Sequence, residues 1–174
     1  MEEAMFEHLF QKYKDMIYRV AFLYLKNEAD ALDIVQNTFI KLLKKNDFND
    51  EEHLKRWLLR VCINLCKNNL KSYWKRNVSV FEEKFYQLEN SDLKLQELVF
   101  KLAPKYKGVI HLYYYEGYSV KEISVILKIS EAAVKQRLKR ARTKLKIELE
   151  AESWRIMITK RLSMESRYQS KSLI

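Results

Sequence analysis

Residues 119 to 145 read Ser-Val-Lys-Glu-Ile-Ser-Val-Ile-Leu-Lys-Ile-Ser-Glu-Ala-Ala-Val-Lys-Gln-Arg-Leu-Lys-Arg-Ala-Arg-Thr-Lys-Leu. The stretch predicts two short helices joined by a tight turn, the second strongly basic. Ser119 stands three residues before Glu122, so each side chain can satisfy a backbone N–H at the other end of the first turn. The break falls at Lys128-Ile129, and Ser130 supplies a fresh N-cap. Beyond it Val134, Leu138, Ala141 and Leu145 recur at intervals of four, three and four, which gathers them on one face to pack against Val120, Ile123, Ile126 and Leu127. Lys135, Arg137, Lys139, Arg140, Arg142, Lys144 and Lys146 are left to reach outward. Only Glu131 opposes them, at the helix N-terminus where a carboxylate suits the dipole. Such a helix-turn-helix sets a cationic helix against a nucleic-acid duplex. A charge run alone would mark a solvated surface helix; caps and a turn at the expected places favour DNA binding. Turns of this kind often use Gly, so a left-handed Lys128 costs about 1 kcal/mol.

Working outward, the 174 residues allow one ordinary domain or two small ones, and 33 Lys+Arg against 23 Asp+Glu leave a formal charge of +10. A polyanionic partner follows naturally. Two Gly and one Pro in the whole chain leave almost none of the turn punctuation that strands and hairpins need, so an all-helical fold is expected. At 48% hydrophobic residues there is enough apolar material for packed cores. No stretch approaches the roughly 20 apolar residues that cross a bilayer, and Met1 to His8 is acidic where a signal peptide would be basic. A cytoplasmic protein with no membrane insertion is therefore expected. Cys62 and Cys66 lie four apart, but there is no further Cys, and His8, His53 and His111 show no ligand spacing around them. The expectation is two reduced thiols partly packed in a helix bundle and no metal.

Two helical blocks are expected: residues 1–77 and 92–150, with a poorly patterned linker at 78–91 and a C-terminal extension at 151–174. In the first block Phe6, Leu9, Phe10, Tyr13, Ile17, Val20, Ala21 and Tyr24 repeat at three and four, giving one long amphipathic helix. Asn27, three residues before Asp30, resembles the capped start of a second helix. Leu32, Val35, Phe39, Leu42 and Leu43 are its expected buried face, while Asp30, Asp33, Gln36 and Asn37 share another. After an acidic loop from Asn46 to Glu52, a third helix runs from about His53 to Asn77 and carries Lys55, Arg56, Arg60, Lys67, Lys71, Lys75 and Arg76 without an acid. Trp57, Leu58, Val61, Cys62 and Leu65 are its expected core. Tyr73 and Trp74, set among cations, either close the bundle end or stack on unpaired bases. Two basic surfaces on separate blocks suit simultaneous contact with two spaced DNA elements.

Together these stretches resemble the extracytoplasmic-function (ECF) group of the sigma-70 family over about residues 5 to 150. Asp30-Ala31-Leu32-Asp33-Ile34-Val35-Gln36-Asn37-Thr38-Phe39 is similar to the region 2 helix, usually Asp-Ala-Glu-Asp-x-x-Gln-Glu-x-Phe. Leu54-Lys55-Arg56-Trp57-Leu58-Leu59-Arg60-Val61-Cys62-Ile63-Asn64-Leu65 resembles the Trp-Leu-x-x-Ile-x-x-Asn helix that follows it. Leu102-Ala103-Pro104-Lys105-Tyr106-Lys107 and Tyr115-Glu116-Gly117-Tyr118-Ser119-Val120-Lys121-Glu122-Ile123 are similar to the entry of region 4 and its helix-turn-helix.

The resemblance implies two small helical domains joined by a linker, and an alternative sigma factor without catalysis or cofactor. Its partners would be bacterial core RNA polymerase, promoter DNA and an anti-sigma factor, and it would meet the nucleoid when engaged with polymerase. Asp30, Asp33, Gln36 and Asn37 would dock on the polymerase clamp helices. Asn46, Lys55, Arg56, Arg60, Asn64, Lys67 and Lys71 would take the upstream strand-opening element. The helix from Ser130 would enter the major groove of the distal element, with Glu131, Lys135, Gln136 and Lys139 near base edges or phosphates and Arg137, Arg140 and Arg142 on the backbone. Leu32 and Asn37 replace acids common in the motif and make the clamp contact less charged. Gly108 falls at a helical position, weakening that helix by about 1 kcal/mol relative to Ala. The competing expectation is a helix-turn-helix regulator that binds a duplex without polymerase.

Overall fold

The computed structural model describes residues 2–45, 47–75 and 98–146, all helices and short connections with no strand among them. The chain divides into two compact units, Met1–Tyr86 and Gln87–Ile174. The expected linker at 78–91 and the extension at 151–174 lie outside the described residues, as do the side chains of Tyr73 and Trp74.

The first unit is three mutually packed helices: α1 (Glu3–Leu25), α2 (Glu28–Leu43) and α3 (Glu51–Lys75). In α1 the expected stripe is buried at Leu9, Tyr13, Ile17, Val20, Ala21 and Tyr24. Phe6 and Phe10 stand at its edge and close over Phe39 of α2, with ring centroids 6.1 and 4.9 Å away. Lys26 ends α1 in the left-handed region (φ 57°), its N–H returning to the carbonyl of Phe22. Asn27 then caps α2, its side chain accepting the N–H of Asp30 at 2.9 Å.

The core face of α2 departs from expectation. Ala31, Ile34, Val35, Thr38, Phe39 and Leu42 are buried, whereas Leu32 and Leu43 stand 53% and 46% exposed. Hydropathy favoured the larger aliphatic residues, but α2 lies between two neighbours and buries a stripe that includes the small Ala31 and Thr38. The Thr38 hydroxyl donates to the carbonyl of Ile34 at 2.7 Å, which satisfies a polar group that would otherwise be costly to bury.

The third helix starts earlier than expected. Asp50 accepts the N–H of His53 at 2.6 Å, so Asp50 acts as the cap, and Glu51 and Glu52 are first-turn acids favoured by the helix dipole. The core face is Leu54, Leu58, Leu59, Cys62, Ile63 and Cys66; Trp57, Val61 and Leu65 are only half-buried. Leu59, Ile63 and Cys66 carry the stripe to the side facing α1 and α2. Both thiols are fully enclosed, and burial pushes the Cys62 thiol well above its ordinary range. Its Sγ lies 3.6 Å from the carbonyl of Ile17. Ile17, Leu42 and Leu58, each wholly enclosed, contribute about 1.5–3 kcal/mol apiece by burial.

A short helical stretch at 98–101 leads into the described part of the second unit, with Leu98, Val99 and Leu102 buried. Pro104 opens α4 (Pro104–Ile110) in the first turn, where its missing N–H has no intrahelical partner to lose. Gly108 is helical and buried within it. The chain then widens into a π turn, His111–Tyr115, with the Glu116 N–H reaching the carbonyl of His111 at 3.1 Å. Gly117 adopts φ 77° and reverses the chain. Helix α5 (Val120–Leu127) and helix α6 (Glu131–Lys146) follow, joined at Lys128. The capping box is complete. Ser119 N–H donates to Glu122 Oε2 at 2.8 Å, and Ser119 Oγ accepts the Glu122 N–H at 3.2 Å. Lys128 is left-handed (φ 52°), and Ser130 Oγ accepts the N–H of Ala133 at 3.2 Å. Ile123, Ile126, Val134, Leu138, Ala141 and Leu145 are buried as expected; Val120 and Leu127 are half-buried.

Candidate nucleic-acid interface

In the second unit α6 presents its cations much as the periodicity requires. Glu131, Lys135, Gln136, Lys139, Arg140 and Lys144 are exposed, and Arg137 is half-buried. Ser130 spends its hydroxyl on the cap. Arg142 departs from the outward set. It is half-buried, its Nε–H donates to the Tyr114 hydroxyl at 2.7 Å, and its guanidinium carbon lies 5.4 Å from the Tyr113 ring centroid and 5.7 Å from that of Tyr114. The side chain turns back to the π turn because two aromatic rings and a hydroxyl lie within its reach there.

Below the turn, His111 Nε2 approaches Glu116 Oε1 at 3.3 Å, with both side chains buried, and the imidazole stacks on Tyr115 at 5.4 Å. The pair joins the two ends of the π turn.

In the first unit the cationic face belongs to α3. Asn64 and Lys71 are exposed, while Lys55, Arg56, Arg60 and Lys67 are half-buried. The early helix start brings an acid into that face after all, since Glu52 lies 3.9 Å from Arg56 one turn away. Asn46 lies outside the described residues. The loop after it is built around Phe48, whose ring sits 5.5 Å from Trp57 and 5.7 Å from His53, with Lys45 Nζ 5.3 Å over its face. Asn49 N–H donates to His53 Nδ1 at 3.3 Å. Lys45 pairs with Asp47, and the hydrogen bond from Lys45 holds that carboxyl below its usual range. At the other end of the loop Glu51 accepts from Tyr13 of α1 and pairs with Lys12. The Lys12 and Tyr13 hydrogen bonds hold the Glu51 carboxyl below its usual range; burial, then Glu51, push the Tyr13 hydroxyl above its own.

Trp57 is thus an edge residue facing the loop rather than plain core, and Phe48 and His53 join it although neither was singled out from sequence. The available signal was one aromatic residue in an otherwise polar loop, nine residues before a tryptophan. Aromatic faces beside cations can stack unpaired bases while phosphates meet the charges.

A third surface lies on α2. Asp33, Gln36 and Asn37 are exposed, and Asp30 is half-buried in the first turn. The Asn37 amide donates to the carbonyl of Asp33 at 2.8 Å. Exposed Leu32, Ile40 and Leu43 line the same outer side, so the face is mixed polar and apolar rather than chiefly acidic.

The family models described as Sigma-70 region 2 and Sigma-70, region 4 match residues 9–76 and 92–145. The chain is 32% identical over 146 residues to the RNA polymerase sigma factor SigV of Bacillus subtilis, covering 80% of this chain and 88% of that one. It is 29% identical over 170 residues to the ECF RNA polymerase sigma factor SigW of the same organism, covering 85% and 90%. Among solved structures, the sigma factor RpoE of Bartonella quintana in complex with the anti-sigma factor NepR shares the fold with a TM-score of 0.67 at 20% identity, over 80% of this chain and 93% of that chain. CnrH in complex with the cytosolic domain of CnrY gives 0.62 at 24% identity, over 86% and 90%. With both region matches in order along one chain, and relatives aligned across most of both lengths, this protein belongs to the ECF group of the sigma-70 family.

Proposed function

We propose that this chain is an alternative sigma factor: it binds core RNA polymerase and directs promoter recognition and transcription initiation, and polymerase supplies all the catalysis. One observation carries the reading. A single chain presents two cationic surfaces, one on a capped helix-turn-helix and one beside an aromatic loop, within the two family regions. A stand-alone duplex reader has use for the first surface alone.

The roles divide by element. Exposed Asp33, Gln36 and Asn37, with Asp30 at the helix start, dock α2 on polymerase, and the adjoining Leu32, Ile40 and Leu43 add apolar contact. The loop with Phe48, together with Asn46, Lys55, Arg56, Arg60, Asn64, Lys67 and Lys71, takes the strand-opening element. From α6, Lys135, Gln136 and Lys139 reach the major groove of the distal element, with Arg137 and Arg140 on its backbone. The domains span residues 1–77 and 92–150, and the linker at 78–91 sets their reach. Action on chromosomal promoters places the protein in the cytoplasm; an anti-sigma factor as its inhibitor is supported by the two sigma complexes that share its fold.

The test adds the purified chain to sigma-free bacterial core polymerase with genomic DNA and maps transcript starts, alongside a variant carrying Asp33→Lys and Gln36→Lys. Starts that share two spaced upstream elements and vanish with the variant are expected. No chain-dependent starts, together with tight duplex binding in the absence of polymerase, would replace the proposal with a stand-alone regulator.

A further inference from the structure

Of the cations on α6, Arg142 is turned back toward its own domain. Its guanidinium has a directional hydrogen bond to Tyr114 at 2.7 Å and lies over the rings of Tyr113 and Tyr114. Tyr114 is buried and belongs to the π turn, where one extra residue shifts the facing of every side chain beyond it. The buried residues of α6, Val134, Leu138, Ala141 and Leu145, are all apolar, and apolar burial is non-directional. A stripe of that kind holds a helix against its neighbours but resists small rotations about its axis only weakly. A planar guanidinium bonded and stacked on a second element resists them strongly. Base readout needs donors and acceptors placed to within about 0.5 Å.

We propose that Arg142 is a positioning residue: through Tyr114 and Tyr113 it sets the rotation of α6, and with it the discrimination between promoter sequences, without itself contacting a DNA phosphate. The proposal rests on α6 being the DNA-reading helix, and it holds whether or not polymerase delivers that helix to the duplex.

The salt dependence of binding separates a phosphate contact from a positioning role. Each neutralised phosphate contributes about 0.9 to the slope of log K against log salt. The probe is a duplex enriched by selection on the full-length chain, with core polymerase and, separately, without it; a duplex of scrambled sequence is the control. Enrichment only without polymerase would count against the sigma reading while leaving Arg142 fully testable. Arg142→Gln and Tyr114→Phe are each expected to lower the ratio of specific to non-specific affinity by about tenfold, with the slope unchanged and the double variant no worse than the stronger single one. Arg142→Lys keeps the charge and loses the planar fork, so it should behave like Arg142→Gln. Arg140→Gln, at an exposed cation on the DNA backbone side, should flatten the slope by about 0.9. Tyr114→Phe keeps the ring and its packing, so it reports on the hydrogen bond in a folded protein. A slope flattened by about 0.9 in Arg142→Gln and preserved in Arg142→Lys would overturn the proposal in favour of a phosphate contact. Lowered melting temperatures with unchanged discrimination would overturn it in favour of a purely structural contact.

Discussion

The two units hold their exposed cationic faces in place by different means. The first has helices of 23, 16 and 25 residues whose apolar stripes bury one another, with an Asn27 cap at the start of α2 and a Lys12, Tyr13 and Glu51 network that ties the middle of α1 to the start of α3. The described part of the second has a 7-residue helix, a 5-residue π turn, an 8-residue helix and a 16-residue helix. A capping box, a left-handed cap and an arginine stacked on tyrosines fix the ends and facing of these shorter elements. In the first unit, functional side chains can therefore be changed with little effect on the fold. In the second, the same residues serve both purposes, as Arg142 illustrates.

The strongest way to break this contrast is in the cores. Leu58→Ala is expected to cost about 2–5 kcal/mol by leaving a cavity among three helices, and native-state hydrogen exchange should show the loss confined to α1, α2 and α3. Loss spread equally into α5 and α6 would contradict independent cores. Next comes the loop of the first unit, where Phe48→Ala removes the ring that the proposed function sets beside unpaired bases. Stacking on one base is worth about 1–3 kcal/mol, so a comparable loss of open-complex formation is expected by permanganate reactivity of unpaired thymines, with promoter binding at the distal element retained.

The caps give smaller effects. Ser119→Ala removes the capping box and should cost about 1 kcal/mol, read as faster exchange in α5 with the first unit unchanged. The smallest effect offers a matched pair, because each unit ends a helix on a left-handed lysine, Lys26 at φ 57° and Lys128 at φ 52°. Gly at either position should gain up to about 1 kcal/mol by removing the Cβ clash. Lys128→Gly should register more clearly than Lys26→Gly, since the shorter helices depend more on their turn.

What could be read before folding follows the same division. The Ser119–Glu122 box, the Ser130 and Asn27 caps, and the α5–α6 turn were legible because each depends on residues within one helical turn of each other. The Val134, Leu138, Ala141 and Leu145 stripe was legible because α6 is otherwise so polar that no second stripe competes. In α2 and α3 several apolar residues did compete: hydropathy points Leu32 and Leu43 inward, yet both lie outward, and Trp57, Val61 and Leu65 yielded the core to Leu59, Ile63 and Cys66. The cluster of Phe48, His53 and Trp57 was not legible, because the loop has no periodicity.

From the sequence alone came the helical class, the two-block division, the helix-turn-helix and the resemblance to a family, because composition, capping and heptad-like spacing act locally. The tertiary structure decided which side of α2 and α3 is inside, which aromatic rings border the loop before α3, and that Arg142 faces Tyr114 rather than outward. Those outcomes depend on which neighbour lies across from a side chain, and residues as far apart as Tyr114 and Arg142 become neighbours only when the helices pack.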